Sequence, residues 1–163
     1  MKTATLDTLF LDTLKDIYYA ERKILKALPK MARAAQSEEL TAAFEAHKAE
    51  TEGQKDRLEQ VFESLGKRPV GKTCPAIDGI LEEGEEVISE FQGSDAIDAG
   101  LIASATAVEH YEIARYTALQ ALARQLGHTE AASLLAQTLA EETAADKKLT
   151  GMMPAHLKMA KAA

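Results

Sequence analysis

Six carboxylates and one imidazole interrupt the apolar stripes of this 163-residue chain. Glu21 lies seven residues from both Leu14 and Leu28, four after Ile17 and three before Ile24. On a helix, a residue bracketed in this way faces the core. His47, Glu50 and Gln54 take successive turns between Phe44 and Leu58. Glu109 and Glu112 fall between Ala105 and Tyr116, and Glu142 and Asp146 between Thr138 and Leu149. Inward carboxylates one turn apart, joined by one imidazole, can bridge two cations. So oxygen-rich a donor set favours iron or manganese over copper or a structural zinc.

Such groups cannot stay bare. An unpaired ion in a low-dielectric core costs at least several kcal/mol. Cations, protons or arginine partners could relieve them, and Arg22, Arg57 and Arg115 are the arginines at hand. Two divalent ions would offset four of the charges. The expected ligand set is Glu21, His47, Glu50, Glu109, Glu112 and Glu142, with Gln54 and Asp146 as ligands or as hydrogen-bonders behind them. Tyr18 and Tyr116, each about one turn from an inward glutamate, are read as O–H donors that orient carboxylates.

Positioning these groups falls to helices. Apolar residues recur three and four apart in four windows, and no strand-period segment of any length occurs. The first window spans about 5–35, with Pro29 expected to bend or loosen it. The second runs from the N-cap Ser37 to about Leu65, closed by Gly66. The third runs from about Ser94 to Gln125 and is stopped by Gly127. The fourth runs from Thr129 to about Met152, where Gly151 and Pro154 read as its end. A short helix is expected over about 76–91, with Glu82, Glu83, Glu85 and Glu86 on its wet side.

The tight turns make two antiparallel hairpins, and almost thirty residues separate them. One long crossover between two hairpins is the connectivity of a ferritin-like four-helix bundle, here with a short extra helix in the crossover. The bundle occupies about residues 5–150 of a single all-α domain, and 151–163 read as a loose tail. Glu21 lies about fifteen residues before one bend and Glu50 about fourteen after it; Glu112 and Glu142 stand likewise about the other. At about 1.5 Å per residue, each pair is level.

Composition narrows the classes. A net charge of −7 repels phosphate backbones, so nucleic acid is not expected as a partner. Asp7, Asp12, Lys15 and Asp16 break the first apolar stretch, which argues against a signal peptide, and no uncharged run suits a membrane span. Cys74 is the single cysteine and cannot form an intrachain disulfide; it reads as a loop residue, consistent with a reducing, cytoplasmic setting. His110 is expected at the surface or in an interface, and His128 and His156 carry no signal.

The motifs Tyr19-Ala20-Glu21, His47-x-x-Glu50-Thr51-x-x-Gln54, Glu109-His110-Tyr111-Glu112-Ile113-Ala114-x-Tyr116 and Glu141-Glu142-x-x-x-Asp146 carry a resemblance. Over about residues 5–150 the chain resembles the YciE/YciF-like bacterial stress proteins of the ferritin-like superfamily. The resemblance implies a rubrerythrin-like bundle, a homodimer and a role in stress response. It supplies no settled reaction; a di-metal oxidoreductase of peroxidase or ferroxidase type is the enzymatic expectation. The cofactor implied is two metal ions, iron ahead of manganese or zinc. One departure stands out. Ferritin-like di-iron proteins carry Glu-x-x-His on the second and fourth helices, whereas Gly53 and Ala145 occupy the histidine positions here. The alternative is therefore a non-catalytic dimeric structural stress protein whose acidic network no longer binds metal.

Overall fold

The computed structural model describes residues 4–161. Helix α1 (Leu6–Ala34) starts at a Thr5–Thr8 capping box. Helix α2 (Glu38–Ser64) starts at Ser37, whose hydroxyl accepts from the Leu40 N–H at 3.3 Å. Helix α3 (Pro75–Phe91) opens on a proline, whose missing N–H costs nothing in the first turn. Helices α4 (Ile97–Gln125) and α5 (Thr129–Lys161) complete the chain. Gly127, at φ 76°, makes the left-handed turn between them, and the His128 carbonyl accepts the N–H of Ala132. Pro29 lies inside α1 without interrupting the helix.

The four long helices form the expected bundle. α1 packs on α2 and α4, and α5 packs on α4 and α2. Phe10 stacks on His128 at one end, and Asp98 meets the α1–α2 turn at the other. The crossover must therefore travel the length of the bundle, and α3 does so against α1 and α4. It approaches α4 closely: a Cβ at Gly100 would lie 2.7 Å from Val87 Cγ1.

The C-terminal tail corrects the sequence reading. α5 runs unbroken through Gly151 and Pro154 to Lys161. Met152 and His156 are buried, and His156 Nδ1 lies 2.9 Å from the Met152 carbonyl. His156 Nε2 is 3.9 Å from Asp98, whose two carboxylate oxygens accept the N–H groups of Gln36 and Ser37 at 2.8 and 2.9 Å. Burial against this end of the bundle outweighs the helix-breaking tendency of Gly151 and Pro154. Cys74 is also buried, with its Sγ 3.1 Å from the Tyr111 hydroxyl. Residues 162 and 163 of the expected tail lie outside the described residues.

Candidate metal centre

Midway along the bundle, α1 contributes Glu21, α2 His47, α4 Glu109 and Glu112, and α5 Glu142. The four glutamates are at most 1% exposed. One ligating atom each from His47, Glu109, Glu112 and Glu142 falls within 4.8 Å of the others. His47 Nε2 is 2.9 Å from Glu109 Oε1. Tyr116, fully buried on α4, donates its hydroxyl proton to Glu21 on α1, which is the orienting role expected of it. Tyr18 instead donates to Glu59 at 2.9 Å.

Among the described residues, no arginine relieves this cluster. Arg57 forks onto Glu141 at 2.8 and 3.0 Å and donates to Thr138 at 2.7 Å. Arg22 lies over the Tyr18 ring and Arg115 over the Tyr111 ring. Both oxygens of Glu112, both of Glu142, and one each of Glu21 and Glu109 find no protein donor. The carboxyl–carboxyl contacts Glu21–Glu112 and Glu109–Glu142 become hydrogen bonds only when one partner holds a proton.

Burial accordingly dominates the proton affinities. It raises Glu21 to about 7, against the pull of Tyr116's hydrogen bond. It raises Glu142 to about 12, helped by the contact with Glu109. Glu112 is pushed well up by burial and by the neighbouring carboxylates, led by Glu21. For His47, burial opposes the charged form, but the hydrogen bond and charge of Glu109 more than compensate and its pKa rises. Without cations, the cluster retains protons that exposed carboxylates would lose.

Three expected ligands stand elsewhere. Glu50 points outward, with its side chain 54% exposed and 3.4 Å from His47 Nδ1. Thr51 is fully buried in its place and donates to the His47 carbonyl at 2.9 Å. Positions 50 and 51 are both three or four residues from His47 and Gln54, so the 3.6-residue period does not separate them. Asp146, on the edge of the inward face of α5, pairs with His110 Nε2 at 3.0 Å. That partner across the α4–α5 hairpin holds it away from the centre. Gln54 is buried but donates to Glu141 at 3.2 Å, leaving its own oxygen without a partner. The pattern of α5 alone gives Glu141 and Thr138 no role of their own. Arg57 and Gln54 of α2, eighty-odd residues earlier in sequence but within 3.2 Å in space, give them one.

The sequence profile of a domain of unknown function, DUF892, matches residues 5–162. The chain is 46% identical to Protein YciF of Escherichia coli K12 over 153 residues, covering 93% of this chain and 92% of that one. The crystal structure of the E. coli stress protein YciF superposes with a TM-score of 0.91 at 45% identity, covering 97% and 99% of the two chains. YcfI from Rhodopseudomonas palustris, described as a candidate structural protein, superposes at 0.89 with 46% identity over 91% and 95%. A Xanthomonas campestris protein at 24% identity and a TM-score of 0.76 shares the fold.

Proposed function

The chain belongs to the DUF892 family, a relative of the E. coli stress protein YciF, and we propose that it is a dinuclear iron- or manganese-binding protein of bacterial stress response. The carrying observation is the set of donorless buried oxygens on Glu21, Glu109, Glu112 and Glu142 beside His47. Six orphaned carboxylate oxygens in one place are costly without cations and are the ligands that hard cations take. Glu21, Glu109, Glu112, Glu142 and His47 would hold the ions. Tyr116 would keep Glu21 turned inward, and Glu50 would fix the His47 ring through Nδ1. When bound, such a pair supplies electron exchange with dioxygen or peroxide. The surrounding helices bury the cluster, and its carboxyls hold protons in the metal-free form that would leave to solvent as metal enters.

The test is elemental analysis of protein purified without chelator or affinity metal, beside a Glu109→Ala, Glu142→Ala variant. About two iron or manganese per chain, lost in the variant, is the expected result for a dinuclear carboxylate site. No metal in either protein overturns the reading.

A second reading has its own support. Gly53 and Ala145 stand where di-iron bundles place histidines, and YcfI is described as a candidate structural protein. On that reading the cluster is a protonated network and the bundle a scaffold. It predicts no metal and no change in melting temperature with any divalent ion.

A further inference from the structure

The cluster does not fill the interior around it. Between α2 and α5, on the side toward the α1–α2 turn, lies a cavity of about 210 Å³. Ile24, Leu28, Phe44, Val108 and Leu149 give it apolar walls, and Leu81 of α3 reaches it from across the bundle. Ala43 and Ala105 line facing helices, where a methyl is too short to close the gap. His47 and Glu109 form its polar end. The exposed Glu50 and Lys148, with the half-buried Glu141, stand at its mouth.

We propose that this cavity binds a small, uncharged, mainly apolar organic molecule about the size of one substituted aromatic ring. One end of that molecule would rest against the His47–Glu109 edge of the cluster.

Size supports this occupant. An apolar cavity of about 150 Å³ suffices to take up benzene, so this one has room for a ring with a substituent. A passage for a diatomic gas would not need such a volume. Water is a poor filler, because a buried water needs two to four polar partners and the walls between the mouth and the His47–Glu109 end are carbon. Charge draws neither an anion nor a cation to the mouth: Arg57 forks onto Glu141, and the exposed Glu50 and Lys148 offset one another. In the metal-free form the inner end also offers a specific contact. Glu109 is 1% exposed, lines the cavity, and has an oxygen without a hydrogen-bond partner. The significance of the site as a substrate site rests on the metal reading above; the binding itself does not.

The test uses the full chain, metal-free and manganese-loaded, with benzene and indole as probes. Calorimetric titration and methyl NMR shifts of the wall residues give the readout. Saturable binding is expected in both forms, with shifts at Ile24, Leu28, Val108 and Leu149. Ala105→Leu and Ala43→Leu fill the cavity from two sides, and each should weaken binding by at least about tenfold while keeping the helical content and cooperative melt. Two variants guard against one failing to fold. Absence of saturable binding by either probe, or undiminished binding in a folded filled variant, overturns the proposal. Metal content is measured on the same samples. Probe binding without metal therefore sinks the metal reading alone, and metal without probe binding sinks the cavity alone.

Discussion

His47 faces a glutamate at each ring nitrogen: Nε2 is 2.9 Å from the buried Glu109, and Nδ1 is 3.4 Å from the exposed Glu50. One imidazole thus ties the carboxylate interior, on α4, to the mouth of the cavity, on α2. A cation entering the cluster would replace the contact with Glu109, and Glu50 would remain to orient the ring. That division of labour separates the roles of the two glutamates. Glu109→Gln should abolish high-affinity manganese binding. Glu50→Gln should weaken it by about tenfold, the usual effect of removing a group that orients a ligand. Metal-free stability of Glu50→Gln should stay within about 0.5 kcal/mol of the parent, because the side chain is largely solvated. Equal losses of metal affinity in the two variants would refute the assignment.

Metal should stabilise the fold. Manganese at about 100 times its dissociation constant adds about 2.7 kcal/mol. For a chain of this size that raises the melting temperature by roughly 5–11 °C. Differential scanning calorimetry should show this in the parent protein and not in Glu142→Ala.

The metal-free protein should lose stability as pH rises. Glu21 and Glu142 have native pKa values of about 7 and about 12, above the ordinary 4.5. Between those limits the native state holds protons that the unfolded chain has released, so stability declines with pH. Melting temperature should therefore be higher at about pH 5 than at about pH 8, with the Glu21 contribution lost through about 7. Glu142→Gln mimics the protonated side chain and should flatten that slope. Metal affinity should run the other way and rise with pH, because the ligands must give up their protons. A metal-free melting temperature that climbs from pH 5 to pH 8 would contradict the burial of these carboxylates.

The last turns of α5 should contribute measurably to stability. Truncation after Gly151 removes the buried Met152 and His156. Losing that burial should cost about 2–3 kcal/mol. The corresponding fall in melting temperature is roughly 4–12 °C. An unchanged melt is what a loose tail would give.

Much of the centre was legible because a buried charge is anomalous. Glu21, Glu109, Glu112 and Glu142 each sit inside an apolar stripe, and all four are buried at one level of the bundle. Where two neighbouring residues fit a stripe equally well, periodicity could not choose. Thr51 rather than Glu50 went inside, and His47 is the α2 side chain that meets the carboxylate cluster. Asp146 lies on an edge, and its contact with His110, on another helix, decided the matter. Gly151 and Pro154 are honest local stop signals; Asp98, far away in sequence, and the bundle end it shares with His156 were invisible to any local window.

The sequence by itself determined the all-α class, the two hairpins, the long crossover and the inward placing of Glu21, Glu109, Glu112 and Glu142, though not of Glu50. Those follow from helical periodicity, turn residues and connection lengths, all of them short-range properties of the chain. Tertiary structure alone decided which face of α2 points inward, where Arg57 goes, how far α5 continues and that a cavity opens beside His47. Those depend on side chains from different helices competing for the same space, and a single helix's pattern does not carry that information.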